Sequence, residues 1–228
     1  MTRLFVALDV PTTDEAVLLA RSLAPHVDGF KVGLELLLGA GPKSIKTVAE
    51  LGKPVFADAK LLDIPNTVER AARQLGKLGA RYVTVHAGGG EEMIAAACRG
   101  LADGAIGKAG ILAVTVLTSL DEAVMASVGI LDSTKDQVVL LAKLAAAGGA
   151  EGVVCSVAEL EVVREAAPGL LRVTPGIRMD NANHDQRRVA GPSEAARLGA
   201  DILVVGRPII SAEDPVAAAM AIAQDMRP

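Results

Sequence analysis

The chain has 228 residues, 51% of them hydrophobic and 22% charged, and a formal net charge of −4. That length supports one full-sized core, so residues 1–228 read as a single domain, and the negative balance argues against nucleic acid or an anionic membrane surface as partners. The longest stretch without a charged residue, 109–120, falls well short of the roughly 18–20 apolar residues that cross a bilayer, and no membrane span is expected. The N-terminus enters a strand pattern at once, with no apolar leader ahead of a small-residue cleavage site, which leads us to expect a cytoplasmic protein. Cys98 and Cys155 lie in apolar segments without ligand-like spacing and read as buried, reduced thiols.

In chain order, β-branched runs near 3–9, 27–33, 54–58, 81–86, 110–117, 151–155, 171–174 and 201–206 predict eight strands. Helical periodicity fills the gaps, for instance over 13–23, 66–77, 91–101 and 135–147. In the last of these, Val138, Leu141, Ala142 and Ala145 recur on one face. Gly79-Ala80, Gly148-Gly149-Ala150 and Gly199-Ala200 each close a helical run before a strand, and so phase the repeat independently. Near-continuous apolar strands such as Ile202-Leu203-Val204-Val205 suit a parallel sheet covered on both faces. Eight βα units predict an α/β fold, a single (β/α)8 TIM barrel, with a six-strand open sheet as the alternative. No G-x-G-x-x-G follows the first strand to signal a dinucleotide.

In a barrel, chemistry sits at the C-terminal strand ends. Those ends carry Asp9, Lys31, Asp58, Lys60, His86, Thr118-Ser119, Arg178 and Gly206-Arg207. The densest block is Asp58-Ala59-Lys60-Leu61-Leu62-Asp63-Ile64-Pro65-Asn66-Thr67. If 54–60 is a strand, Asp58 and Lys60 share a face, and Asp63 at the following turn lies within reach of them. Lys31, Asp58, Lys60 and Asp63 would then alternate in sign and offset one another's desolvation, whereas a structural role needs only one pair. Asp9 alone reads equally well as half of a structural ion pair, and His86 as a hydrogen-bonded core residue rather than a base. Arg178 and Gly206-Arg207 follow the last two strands, where barrels bind phosphate. The polar stretch 179–190 between them predicts a lid.

These residues resemble the orotidine 5'-monophosphate decarboxylase family of the bacterial type, over essentially the whole chain. The resemblance is carried by Val6-Ala7-Leu8-Asp9, Phe30-Lys31-Val32-Gly33, the D-x-K-x-x-D-I-P-N-T block at 58–67, Val85-His86-Ala87 and residues 114–119. It continues in Thr174-Pro175-Gly176-Ile177-Arg178, Asp185-Gln186-Arg187-Arg188 and Val205-Gly206-Arg207-Pro208. It implies cofactor-independent decarboxylation of orotidine 5'-monophosphate to UMP and CO2 in de novo pyrimidine biosynthesis, without a metal. Lys60 is implied to be the proton donor, with Lys31, Asp58 and Asp63 completing its charge network. Asp9, Lys31 and Thr67 are implied to hold the ribose, Thr118 and Ser119 the pyrimidine, and Gln186 both base and phosphate. Arg178, Gly206 and Arg207 are implied to bind the phosphate. The resemblance further implies a homodimer with shared active sites, into which Asp63, Ile64 and Thr67 reach from the neighbouring subunit.

The chain departs from the family pattern at Leu61-Leu62, where Phe-His is frequent, and at Met179, where proline is frequent; its 179–185 loop is one residue short. Two other readings remain open. A sugar-phosphate decarboxylase barrel such as 3-keto-gulonate-6-phosphate decarboxylase shares D-x-K-x-x-D but uses Mg²⁺, with a glutamate ligand where this chain has Lys31; an ammonium cannot ligate the metal. A catalytically silent phospho-ligand sensor on the same barrel is the other.

Overall fold

Each of the eight apolar runs forms a strand in the computed structural model, which describes residues 1–178 and 190–227. The strands are β1 (Arg3–Ala7), β2 (Gly29–Val32), β3 (Val55–Leu61), β4 (Tyr82–His86), β5 (Gly110–Val114), β6 (Gly152–Val154), β7 (Leu171–Thr174) and β8 (Ile202–Val205). Helices α1 (Thr13–Leu23), α2 (Leu34–Gly39), α3 (Lys43–Ala49), α4 (Pro65–Lys77), α5 (Gly90–Gly104) and α6 (Glu122–Ser127) lie in the first connections. They are followed by α7 (Thr134–Ala147), α8 (Leu160–Ala166), α9 (Pro192–Arg197), α10 (Arg207–Ile210) and α11 (Pro215–Asp225). Every strand pairs in parallel with its neighbours in sequence, and β1 pairs with β8, Arg3 opposite Ile202 through Val6 opposite Val205. That closure makes a (β/α)8 barrel and excludes the six-strand open sheet.

Alternation along the strands builds two apolar layers. Phe5, Phe56, Tyr82, Leu112, Val173, Ile202 and Val204 pack together in the lumen. Their chain neighbours, among them Leu4, Val6, Val55, Ala57, Val83, Ile111 and Leu203, pack outward against the helices. Both faces of each strand are therefore buried, which is why the strands read as unbroken apolar runs. The three glycine junctions form one recurring helix stop. Gly79, Gly149 and Gly199 take φ values of +89°, +80° and +93°, and the following residue donates back five positions, as from Ala150 N–H to the Ala145 carbonyl at 3.0 Å.

Three strand ends differ from the sequence pattern. β1 stops at Ala7, although Leu8 N–H still bonds the Lys31 carbonyl at 2.9 Å, so Asp9 stands just past the ladder. β5 stops at Val114, although Thr115 N–H still bonds the Val154 carbonyl at 3.2 Å, and the Thr115 hydroxyl donates to the same carbonyl at 2.8 Å. β3 runs on to Leu61, beyond the expected 58.

The bottom of the barrel is closed by aromatic and paired charges. Tyr82 meets Phe5 and Phe56 edge-on, at 6.1 and 6.5 Å between ring centroids, and the Arg81 guanidinium lies 4.0 Å from its ring centroid. Arg81 forks onto Glu151 at 2.7 and 2.5 Å, and Arg172 pairs with Asp201 at 3.0 Å. On the outside, α4 and α5 touch backbone to backbone, because a side chain at Gly100 or Gly104 would run into the carbonyls of Glu69 and Arg73. This fixes α4, and with it the 62–67 segment that enters it. Among the described residues no helix is long and apolar enough to cross a membrane.

Candidate active site

The site begins with an irregularity in β3. Phe56 pairs with Tyr82 and Ala57 with Val83, but the next pair is Leu61 with Val85. Four steps along β3 are thus matched by two along β4, and Asp58, Ala59 and Lys60 together face Thr84. Such bulges occur beside active sites, where they re-aim side chains. Lys60 has φ +48°, alone in the left-handed region among the described non-glycine residues. For a side-chain-bearing residue that conformation costs about 1–3 kcal/mol and persists only where its surroundings hold it.

The bulge brings the Lys60 ammonium to 2.8 Å from Asp58 Oδ2, so the two share a face as their spacing implied. Lys31 approaches the same oxygen at 3.4 Å and Asp9 Oδ1 at 3.0 Å. Gly33 makes room for this: a Cβ there would lie 2.5 Å from Lys31 Nζ and 2.9 Å from Asp9 Oδ1. Gly206 lies open against the other side of Asp9, its hypothetical Cβ 3.3 Å from Oδ2. A continuous polar run thus crosses the mouth from Lys60 through Asp58, Lys31 and Asp9 to Gly206. Burial pushes the Asp58 carboxyl up, but the charges of Lys31 and Lys60 and hydrogen bonds from Lys60 and Thr84 outweigh it and hold the group below the usual carboxylate range.

His86 stands half-buried at the end of β4 rather than in the packed core. Burial lowers its imidazole below the ordinary value and the Lys60 charge adds to this, partly offset by Asp58, so its surroundings favour the neutral form. Both cysteines are free. Burial pushes the Cys98 thiol up to about 11 and the fully buried Cys155 thiol further still.

Asp9, Lys31, Asp58, Lys60, Thr118, Arg178, Gly206 and Arg207 all line one cavity of about 270 Å³ at the C-terminal mouth of the barrel. Its remaining wall is largely apolar, with Phe56, Val114, Val116, Leu117 and Val173. Ser119, next to Thr118, is exposed and outside that lining. Asp63, Ile64 and Thr67 are exposed as well and do not line the cavity of their own chain. The reach expected of Asp63 within its chain is therefore not observed: the backbone turns outward into α4, and Asp63 Oδ1 accepts the Ile64 N–H at 2.7 Å. Within one chain, Asp9 takes the fourth place in the charge array. Gln186, and all of the expected lid over 179–190 except Ala190, lie outside the described residues.

Thr84 is a site residue that its position in the sequence does not single out. It is fully buried, donates its hydroxyl to Asp58 Oδ1 at 3.0 Å and accepts the Lys60 N–H at 2.9 Å. The available signal was its place in Tyr82-Val83-Thr84-Val85-His86, a polar residue on the same lumen-facing phase as Tyr82 and His86 in a strand whose other phase is valine.

Lysines and aspartates gathered in a cavity at this end of a closed parallel barrel define a (β/α)8-barrel enzyme for a small anionic substrate. Residues 2–222 match the family model described as "Orotidine 5'-phosphate decarboxylase / HUMPS family". The chain is 52% identical over 223 residues to the orotidine 5'-phosphate decarboxylase of Anaeromyxobacter sp. (strain K), covering 97% of this chain and 96% of that one. It is 47% identical to the Moorella thermoacetica enzyme of the same name, covering 98% and 92%. The crystal structure of orotidine 5'-phosphate decarboxylase from Lactobacillus acidophilus superposes with a TM-score of 0.88 at 38% identity, covering 100% of both chains. The chain belongs to the orotidine 5'-phosphate decarboxylase / HUMPS family.

Proposed function

We propose that the chain decarboxylates orotidine 5'-monophosphate to UMP and CO2, as a cytoplasmic enzyme of pyrimidine synthesis working through a charge array rather than a cofactor. The observation that carries this reading is the Lys60 ammonium, held 2.8 Å from a buried Asp58 in a cavity that also takes in Arg178, Gly206 and Arg207. When the bond from C6 to the carboxylate breaks, the electron pair stays on C6, where no carbonyl is placed to spread it as an enolate. Lys60 faces that charge as it develops, then gives C6 a proton and is reprotonated from solvent. Lys31 and Asp9 hold ribose hydroxyls, Thr118 the pyrimidine edge, and the arginines the phosphate. Binding at the phosphate end contributes to the chemical step by fixing C6 against Lys60.

The same reading makes the enzyme a homodimer. Leu62 and Ile64 are 59% and 66% exposed, two large apolar side chains beside Asp63 and Thr67 on a segment held rigid by α4. A second copy that covers them carries Asp63, Ile64 and Thr67 to its partner's cavity. Mixing Lys60→Ala with Asp63→Ala chains then creates one wholly native site per hybrid, so about a quarter of wild-type activity returns on complete 1:1 exchange. No recovery after demonstrated exchange contradicts shared sites.

The activity itself is tested by the fall in ultraviolet absorbance of orotidine 5'-monophosphate, with and without EDTA. Turnover unaffected by EDTA is expected. No turnover by the wild type sinks the reading, and turnover abolished by EDTA points instead to the magnesium-dependent barrels.

A further inference from the structure

The catalytic lysine assigned above has two attachments that could set its position, its side-chain contact with Asp58 and its backbone. Both lead to one oxygen. Across the bulge, Asp58, Ala59 and Lys60 face Thr84 alone, and the ladder bond that the Lys60 N–H would otherwise make is lost. Thr84 Oγ1 accepts that N–H at 2.9 Å and donates to Asp58 Oδ1 at 3.0 Å. An ionised carboxylate can only accept, so the hydroxyl hydrogen has one orientation, and a lone pair is left for the amide. The other carboxylate oxygen, Oδ2, receives the Lys60 ammonium at 2.8 Å and Lys31 at 3.4 Å. The ring from Thr84 through Asp58 and the Lys60 side chain to the Lys60 amide is therefore closed. Thr84 is fully buried and does not line the cavity, so it acts on substrate only through these two residues.

We propose that Thr84 is a positioning residue of this decarboxylase: its hydroxyl staples the β3 bulge, holds Lys60 in its left-handed conformation, and so sets where the ammonium meets the reacting carbon. This rests on the function proposed above. A valine has the same shape but neither bond, so it leaves a buried amide unpaired and removes a donor from Asp58. Charged and titratable groups that face Asp58 are Lys31 from β2, Lys60 from β3 and His86 from β4, with Asp9 beyond β1 next to Lys31. Substitution at Thr84 removes none of these charged groups and adds none.

The test compares wild type with Thr84→Val, Thr84→Ala and Thr84→Ser. We expect kcat to fall about 10- to 100-fold in the valine and alanine variants with KM within about threefold, and Thr84→Ser to return to within about threefold of wild type. The acid limb of kcat moves to higher pH in Thr84→Val, because Asp58 loses a hydrogen bond that favours its charged form. The alanine and serine variants differ by the hydroxyl alone, so this pair carries the comparison if Thr84→Val does not fold. Wild-type kcat and an unmoved acid limb in Thr84→Val, or equal kcat in the alanine and serine variants, overturn the proposal. A wild type that does not turn over orotidine 5'-monophosphate sinks the function instead. The staple is then read without turnover by ¹³C NMR titration of the Asp58 carboxyl. A midpoint raised in Thr84→Val or Thr84→Ala and restored in Thr84→Ser supports the staple, and an unchanged midpoint refutes it.

Discussion

The two ends of this barrel handle charge in opposite ways. At the bottom, arginines close on acids: Arg81 forks onto Glu151, which the exposed Lys108 also approaches at 3.5 Å, while the Arg81 guanidinium covers the Tyr82 ring, and Arg172 pairs with Asp201. At the top, two lysines compete for Asp58 Oδ2, one of them on a left-handed backbone, and a cavity opens beside them. Paired arginines over an aromatic plug close a lumen, whereas crowded lysines around a buried carboxylate are poised to act on a charge that arrives later. Polarity at a strand end therefore does not mark function by itself. What marks it is charge beyond what pairing requires, gathered around a space.

The largest break in that comparison comes from Lys60→Ala, for which we expect kcat to fall by at least about 10³-fold as both the proton donor and the charge facing C6 are lost. Next is Arg207→Ala at the phosphate end. There kcat/KM is expected to drop more than tenfold, over about 1.4 kcal/mol of transition-state stabilisation, with the reacting residues untouched; a smaller loss in steady-state kinetics contradicts the phosphate assignment.

The bottom responds differently. Glu151→Gln is expected to cost about 1–2 kcal/mol of stability and about 2–8 °C in Tm, measured by calorimetry, while kcat stays within about twofold. The pH dependence follows from the direction of the shifts. Hydrogen bonds from Arg81, aided by its charge and that of Lys108, hold the Glu151 carboxyl below its usual value, as the lysines do for Asp58. A carboxyl lowered by folding stabilises the native state above its unfolded value, near about 4, and loses that contribution as pH falls through its folded value. The Tm of the wild type therefore declines on the acid side, and Glu151→Gln flattens the decline. The smallest effect is expected at the thiols. With both raised well above neutrality, Cys98 and Cys155 stay unmodified by iodoacetamide at pH 7, and activity is unchanged.

The barrel was legible because strands such as Ile202–Val205 are buried on both faces and its helix stops repeat a glycine in one conformation. Boundaries were legible only where hydrogen bonding follows side-chain pattern. Thr115 stands past the end of β5 although its N–H and hydroxyl both reach the Val154 carbonyl, and β-branched composition does not tell such a residue from one inside the strand. In the site, Asp9, Lys31, Asp58, Lys60 and Arg207 were readable as charges at strand ends. Period-two spacing put Asp58 and Lys60 on one face, yet the bulge that joins them depends on Thr84 across the ladder, and one strand's sequence does not encode its partner's register. Asp63 was misplaced within its own chain for a related reason: spacing from Lys60 does not say which way the backbone leaves the barrel before Pro65.

The division between the two ends is tested most directly by measuring orotidine 5'-monophosphate turnover per mole of folded protein for Lys60→Ala and Glu151→Gln beside the wild type. At least a ~10³-fold loss is expected for the first and near-native turnover for the second, despite its lower Tm. Lys60→Ala retaining turnover within tenfold of wild type, or Glu151→Gln losing as much as Lys60→Ala, contradicts that division.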